Sequence, residues 1–138
     1  MPLPDGMSDA LPVMSGICFE SAWDAAGRVF VLRNPDEQRA LYDGADNSRL
    51  CRRPVQRYDF DFSEGRVLAG IWSRGMGCTA QHDVLDYQRD DANRRIRLSL
   101  RLRTEGDCPY ELVRPFWVSI PRASDYEIVL DVLDPSRP

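Results

Sequence analysis

One segment of this sequence alternates so regularly that it determines which element it forms. Between residues 95 and 103 every odd position is arginine or serine, whereas the even positions are Ile96, Leu98, Leu100 and Leu102. Successive side chains of a β-strand point to opposite faces, so this period of two predicts a strand with one buried and one solvated face. A chain with such a strand needs a sheet packed on a core.

The residues before this strand predict its pairing partner. The run Asp-Asp-Ala-Asn at 90–93 is typical of a turn and separates residues 79–88 from residues 94–104. Two strand-like segments joined by a short turn form an antiparallel hairpin. With the turn centred near Asp91 and Ala92, residues whose numbers sum to about 184 lie opposite one another.

The remaining elements define the fold class. Strand-like patterns recur at 17–19, 28–33, 58–63, 66–72, 110–120 and 126–132. One helix is predicted after Asn34, a good N-cap, with Pro35 at its first position, Glu37 placed for a capping box and Gly44 at its end. We therefore expect an α+β fold, mainly an antiparallel β-sheet of about six strands with one short early helix.

The length of 138 residues fits one domain. Residues 1–14 contain three prolines and two aspartates, so we expect a flexible leader followed by a single globular domain over 15–138. This leader has neither the basic nor the apolar region of a signal peptide. No apolar run approaches the ~20 residues of a membrane helix. The protein is then either cytosolic or an exported protein whose signal is not present in this sequence.

The four cysteines favour export. Cys18, Cys51, Cys78 and Cys108 are even in number and widely spaced, without the close pairs of a structural zinc site. Two disulfides in a periplasmic, cell-surface or extracellular protein explain them best, and four buried thiols in a cytosolic protein are the alternative. The hairpin register places Cys78 opposite Gly106 and one same-face step from Cys108, which predicts that pair. Cys18–Cys51 follows by elimination.

The arginines form the most distinctive surface feature. The net charge is −4, which gives no support to nucleic-acid binding, and all 18 basic residues are arginine. Arg95, Arg97, Arg101 and Arg103 share the solvated face of the alternating strand, so they are our candidate partner-binding residues. The alternative is an ordinary wet face, neutralised by aspartates of the neighbouring strand, namely Asp83, Asp86 and Asp90.

No catalytic residue, metal site or cofactor is predicted. His82 is the only histidine, no Gly-x-Ser-x-Gly motif is present, and Cys78 lies about 13 Å from His82 along a strand. Asp59 and Asp61 alternate with Phe60 and Phe62, so they are expected on the solvated face of a strand. The calcium-loop pattern is absent.

Several motifs together resemble one family. They are Cys51, Asp59-Phe-Asp-Phe-Ser63, Val67-Leu-Ala-Gly70, Gly77-Cys78, Gly106-Asp-Cys108 and Val118-Ser-Ile-Pro121. Residues 28–132 resemble the protease complex subunit PrcB family and related bacterial lipoproteins. The family's Gly-Gly-Tyr turn reads Gly77-Cys78-Thr79 here, so contacts made by that turn are not carried over.

The resemblance implies a non-catalytic accessory domain of an exported bacterial protein, associated with a secreted or surface protease. The expected partner is therefore another protein, the oligomeric state stays open, and no enzyme activity is expected. The alternatives from other classes are a small cysteine-dependent hydrolase and a structural cell-envelope protein.

Overall fold

The structure is a computed structural model that describes residues 7–133. Its elements are β1 Ser8–Asp9, α1 Leu11–Met14, α2 Phe19–Ala25, β2 Val29–Leu32, α3 Pro35–Asn47, a 3₁₀ turn Ser63–Gly65, β3 Val67–Met76, β4 Thr79–Asp90, β5 Arg95–Glu105, β6 Glu111–Ile120 and β7 Glu127–Leu133. The α+β class with a dominant β content is confirmed. Seven strands form two sheets instead of about six in one.

The strands form two layers and the helices a third. Sheet A has the order β1-β6-β3-β2 and sheet B the order β4-β5-β7. Between the sheets lies one core, to which β5 contributes Ile96, Leu98 and Leu100, as the alternation predicts. A second core packs α1, α2 and α3 on the other face of sheet A, around Trp72 and Trp117. Sheet A is therefore buried on both faces.

The hairpin is confirmed, including its register. From Thr79↔Glu105 to Val84↔Leu100 the paired residue numbers sum to 184, and a bulge at Leu85 then shifts the register by one. The irregularity lies mid-strand and away from Gly106, which follows the last residue of β5 and whose φ of +89° suits glycine.

The last strand differs from expectation, because β7 runs parallel to β5 and not antiparallel. The long strand β6 lies between them in sequence but pairs with β3 in the other sheet. The chain therefore crosses from sheet B to sheet A and back before β7 starts. Sequence patterns near 126–132 contain no information about this crossing.

Helix α3 begins as predicted but ends later. The side chain of Asn34 accepts the Glu37 amide at 2.9 Å, and the Glu37 carboxylate accepts the Arg33 amide at 2.8 Å. The helix continues through Gly44 to Asn47, since Tyr42 and Ala45 are buried and hold its second half in place.

Two expected strands are wrong. Residues 17–19 lead into α2, whose N-cap is Cys18, with its Sγ accepting the Ser21 amide at 3.4 Å. Residues 58–62 belong to no strand; Asp61 accepts the Ser63 amide at 2.9 Å and so opens a turn. The ring centroids of Phe60 and Phe62 lie 4.8 Å apart, and this packing holds the loop in place without the backbone hydrogen bonds of a sheet.

The described part of the expected leader is folded. Strand β1 pairs with β6, and Met7, Ala10 and Met14 are buried, so residues 7–14 belong to the packed unit. Apolar side chains among and after the prolines explain this packing. Residues 1–6 and 134–138 lie outside the described part.

Candidate functional site

All four cysteines form disulfides, in the pairs Cys18–Cys51 and Cys78–Cys108, with Cα–Cα distances of 5.7 and 4.8 Å. These are the pairs that the hairpin register and elimination predict. No cysteine is left as a free thiol. Two such bonds fit an oxidising environment such as the periplasm or the cell exterior.

The predicted arginine row lies on the outer face of sheet B, between strands that carry carboxylates. Arg95 pairs with Glu127 at 3.1 Å, and Arg97 lies 3.6 Å from Asp131. Arg103 contacts both Asp83 and Glu105. The structure thus brings the arginines together and matches Arg95, Arg97 and Arg103 with acids of β4, β5 and β7. Among the described residues Arg101 has no ion pair, and its Nε is buried without a hydrogen-bond partner. Sequence reasoning anticipated Asp83 and missed the β7 acids, because β7 was not placed beside β5.

An apolar cavity lies elsewhere, between α2, α3 and strand β2, and is called the groove below. It encloses about 550 Å³. Its floor is apolar and consists of Phe30, Leu32 and Trp72, which project from sheet A. Ile17 and Ala25 line it on the α2 side and Leu41 on the α3 side.

Two small residues keep the groove open along α3. Ala40 and Gly44 both line it, are exposed, and stand four residues apart on one helix face. A Cβ placed on Gly44 would meet nothing within 4 Å. The charged groups in the lining are Asp24, Arg28 and Glu37, and Glu37 is already engaged as the capping box of α3.

A network of polar side chains fixes α3 in position. The hydroxyl of Tyr42 donates to the Val13 carbonyl at 2.6 Å, and Gln38 donates to the Tyr58 carbonyl at 2.9 Å. Arg57 forms ion pairs with Asp43 and Asp46, each at 2.7 Å. The Arg57 hydrogen bond is the main cause that lowers the pKa of Asp46. One wall of the groove is thereby held by contacts on the far side of α3.

The single histidine has a partner that the sequence did not predict. His82 Nε2 lies 2.8 Å from Ser73 Oγ, which joins β4 of sheet B to β3 of sheet A. Burial lowers the pKa of His82 to about 4, against a smaller opposite effect of Asp83. Ser73 is only 7% exposed, so its hydroxyl is poorly accessible to a substrate. The pair is a partly buried polar contact between the sheets.

Within residues 7–133, no group of three or more His, Cys, Asp and Glu side chains is placed to hold a metal ion. In the same range, no helix is both long and apolar enough to cross a membrane. Asp59 and Asp61 are exposed, and Asp61 is engaged with Ser63.

Sequence reasoning missed the groove, although one signal was available. Phe19, Ala22 and Trp23 have the i, i+3, i+4 spacing of a helix face, which favours α2 over the expected strand at 17–19.

In comparisons with family models, curated proteins and solved structures, nothing matches this chain.

Proposed function

We propose that this chain is a non-catalytic protein-binding domain of an exported bacterial protein, and that its groove receives an apolar segment of the partner. The observation that carries the proposal is the groove itself, with an aromatic floor and the small residues Ala40 and Gly44 on one wall. Small residues on a helix allow a partner backbone to approach closely, and the floor offers a large apolar area to bury.

The groove is a better candidate for the binding site than the arginine row, because arginines of the row already have acidic partners within this chain. Arg95, Arg97 and Arg103 have carboxylates of this chain as partners, so a second protein would have to replace existing ion pairs. Exposed pairs of this kind contribute little free energy in either direction. Burial of apolar surface in a cavity of about 550 Å³ offers more.

The resemblance to the PrcB family supports the finer part of the proposal, that the partner is a secreted or surface protease. Two disulfides support a place outside the cytoplasm. An accessory domain of this kind needs a rigid recognition surface and no reactive group of its own. The network around Tyr42 and Arg57 supplies that rigidity to α3.

A pull-down from the envelope fraction of the native organism tests the proposal. Wild-type protein is compared with Gly44→Phe, which fills the groove, and with Asn47→Phe, which adds the same ring on α3 outside the groove lining. We expect a protease that wild type and Asn47→Phe retain and Gly44→Phe loses. Equal retention by all three variants contradicts binding in the groove, and reproducible absence of any partner favours a structural envelope protein.

The cysteine-dependent hydrolase has its own test. A nucleophilic cysteine must be a thiolate, and all four sulfurs are bonded in pairs. Titration of the folded and of the denatured, non-reduced protein with a thiol reagent is expected to detect no free thiol. One reactive thiol of low pKa would revive the hydrolase.

A further inference from the structure

A second cavity lies on the opposite side of α2 from the groove, and is called the cleft below. It encloses about 320 Å³ and is lined by Phe19, Glu20, Trp23, Asp24, Leu50 and Glu111. The rings of Phe19 and Trp23 stack with centroids 5.8 Å apart. Phe19 is 52% exposed and Leu50 is 39% exposed, so the apolar part of the cleft faces solvent. Asp24 of α2 lines both the cleft and the groove.

The disulfide Cys18–Cys51 brings the two sides of the cleft together. Cys18 is the N-cap of α2 and precedes Phe19, while Cys51 follows Leu50. With these cysteines bonded at a Cα–Cα distance of 5.7 Å, Leu50 is held close to the first turn of the helix. The disulfide therefore restrains the position of Leu50 relative to α2.

The charged side chains that line the cleft are all acidic, whereas Arg74 contacts Trp23 from outside the lining. Glu20, Asp24 and Glu111 are in its lining, and no basic residue is. Within residues 7–133, these carboxylates form no side-chain hydrogen bond or ion pair, unlike the acids beside the arginine row. An apolar cleft with three unpaired carboxylates is complementary to a cation that carries an apolar stem.

The aromatic part of the cleft already accepts a cation from this chain. The guanidinium carbon of Arg74 lies 3.7 Å from the centroid of the Trp23 ring, although Arg74 does not line the cleft. Aromatic faces attract guanidinium and ammonium groups, more strongly where water is excluded. Long basic side chains also bury their methylene stems on apolar surface and leave the charged head at a polar rim.

We propose that the cleft binds an arginine or lysine side chain from a basic segment of the partner protein. The methylene stem lies against Phe19 and Leu50, and the charged head lies among Glu20, Asp24 and Glu111. This inference rests on the proposed function and extends it, because the segment passes over Asp24 from the apolar groove into the acidic cleft. The partner's segment is then apolar with an adjacent basic residue.

Two matched peptides test this inference by NMR titration of the ¹⁵N-labelled full chain. One is acetylated, amidated Ala-Leu-Arg-Leu-Ala, and the other has glutamate in place of arginine. We expect the arginine peptide to shift the amide signals of residues 19–24, Leu50 and Glu111, with about tenfold higher affinity than the glutamate peptide. The difference is expected to shrink as salt rises from about 50 to about 300 mM.

Two variants separate the cleft from surface charge in general. The double variant Glu20→Gln/Glu111→Gln is expected to bind the arginine peptide about fivefold more weakly. Asp59→Asn removes one exposed carboxylate far from the cleft in sequence and is expected to leave the affinity unchanged. Both variants change exposed side chains, so both are expected to fold, which their amide spectra check.

Each result has a definite meaning. Equal affinity for the two peptides, absence of shifts at the cleft, or equal loss in Asp59→Asn and the double variant overturns the inference. A partner lost by Gly44→Phe but bound normally by Glu20→Gln/Glu111→Gln also overturns it, while the proposed function stands. Selective binding of the arginine peptide at the cleft, with a partner that Gly44→Phe retains as well as wild type does, supports the inference and contradicts binding in the groove.

Discussion

The imidazole of His82 and the hydroxyl of Ser73 lie 2.8 Å apart and connect β4 of sheet B to β3 of sheet A. Burial disfavours the charged imidazolium and lowers the pKa of His82 to about 4. The folded state therefore requires a neutral histidine at this position, whereas the unfolded chain protonates near pH 6.5.

This difference predicts how stability depends on pH. Because the folded pKa lies below the unfolded one, the unfolded state binds the extra proton first, and the free energy of unfolding falls as pH drops from about 6.5 to about 4. The full loss is about 3 kcal/mol. Asp46, Asp61, Asp90 and Asp91, whose pKa values are lowered, lose their contribution only below about pH 4.

Urea unfolding at pH 7 and at pH 4.5 measures this effect. His82→Gln keeps a polar group beside Ser73 but does not titrate, so its stability is expected to change much less between the two values. An equal drop in wild type and His82→Gln would show that His82 is not the cause.

Gly44 offers a prediction about stability alone. It lies inside α3, and an added Cβ meets no atom within 4 Å. Alanine has a higher helix propensity than glycine, so Gly44→Ala is expected to raise the free energy of unfolding by about 0.5–1 kcal/mol. Urea denaturation checks the value, and a decrease would contradict the helical, open environment of this residue.

The arginine row is predicted to contribute little to stability. Arg95→Gln/Arg97→Gln is expected to change the free energy of unfolding by less than about 0.5 kcal/mol, because both ion pairs are exposed. Partner binding is expected to stay unchanged as well. Weaker binding in this double variant, with a smaller salt dependence, would instead identify the row as the docking surface.

Calcium is predicted to have no effect on the melting temperature. Asp59 is exposed, and Asp61 already accepts a backbone amide in a turn. A cation bound only by the folded state would raise the melting temperature, so an upward shift at millimolar calcium would contradict our interpretation of these residues.

The disulfides lead to a prediction for the cleft. Peptide mapping under non-reducing conditions is expected to recover Cys78 linked to Cys108 and Cys18 linked to Cys51. Each bond closes a loop of about 30 residues and contributes about 3–4 kcal/mol in the chain-entropy model. Cys18→Ser/Cys51→Ser is expected to lose the arginine-peptide shifts at Phe19 and Leu50, whereas retained shifts would show that the cleft forms without the bond.

Local signals account for the parts of the fold that the sequence predicts correctly. The alternation around Ile96, the turn at Asp91 and the N-cap Asn34 each act within a few residues, and each has the expected structure. The Cys78–Cys108 pair follows from the hairpin register, which is itself local.

Long-range packing accounts for the rest. The parallel pairing of β7 with β5 depends on where β6 goes, and the strand β1 depends on a free edge of β6. The groove is formed by α2, α3 and β2 together, so the sequence pattern of any one of these elements does not predict it. The acidic partners of the arginines on β7 were missed for the same reason.

Photocrosslinking in the native organism tests the central claim, binding in the groove, most directly. A photoreactive phenylalanine analogue is placed at Ala40, inside the groove, at Arg39, its exposed neighbour outside the lining, and at Arg97 on sheet B. We predict one discrete protein adduct from position 40 and none from position 39. An adduct from Arg97 on sheet B, with none from position 40, would contradict the account and return the binding surface to the arginine row.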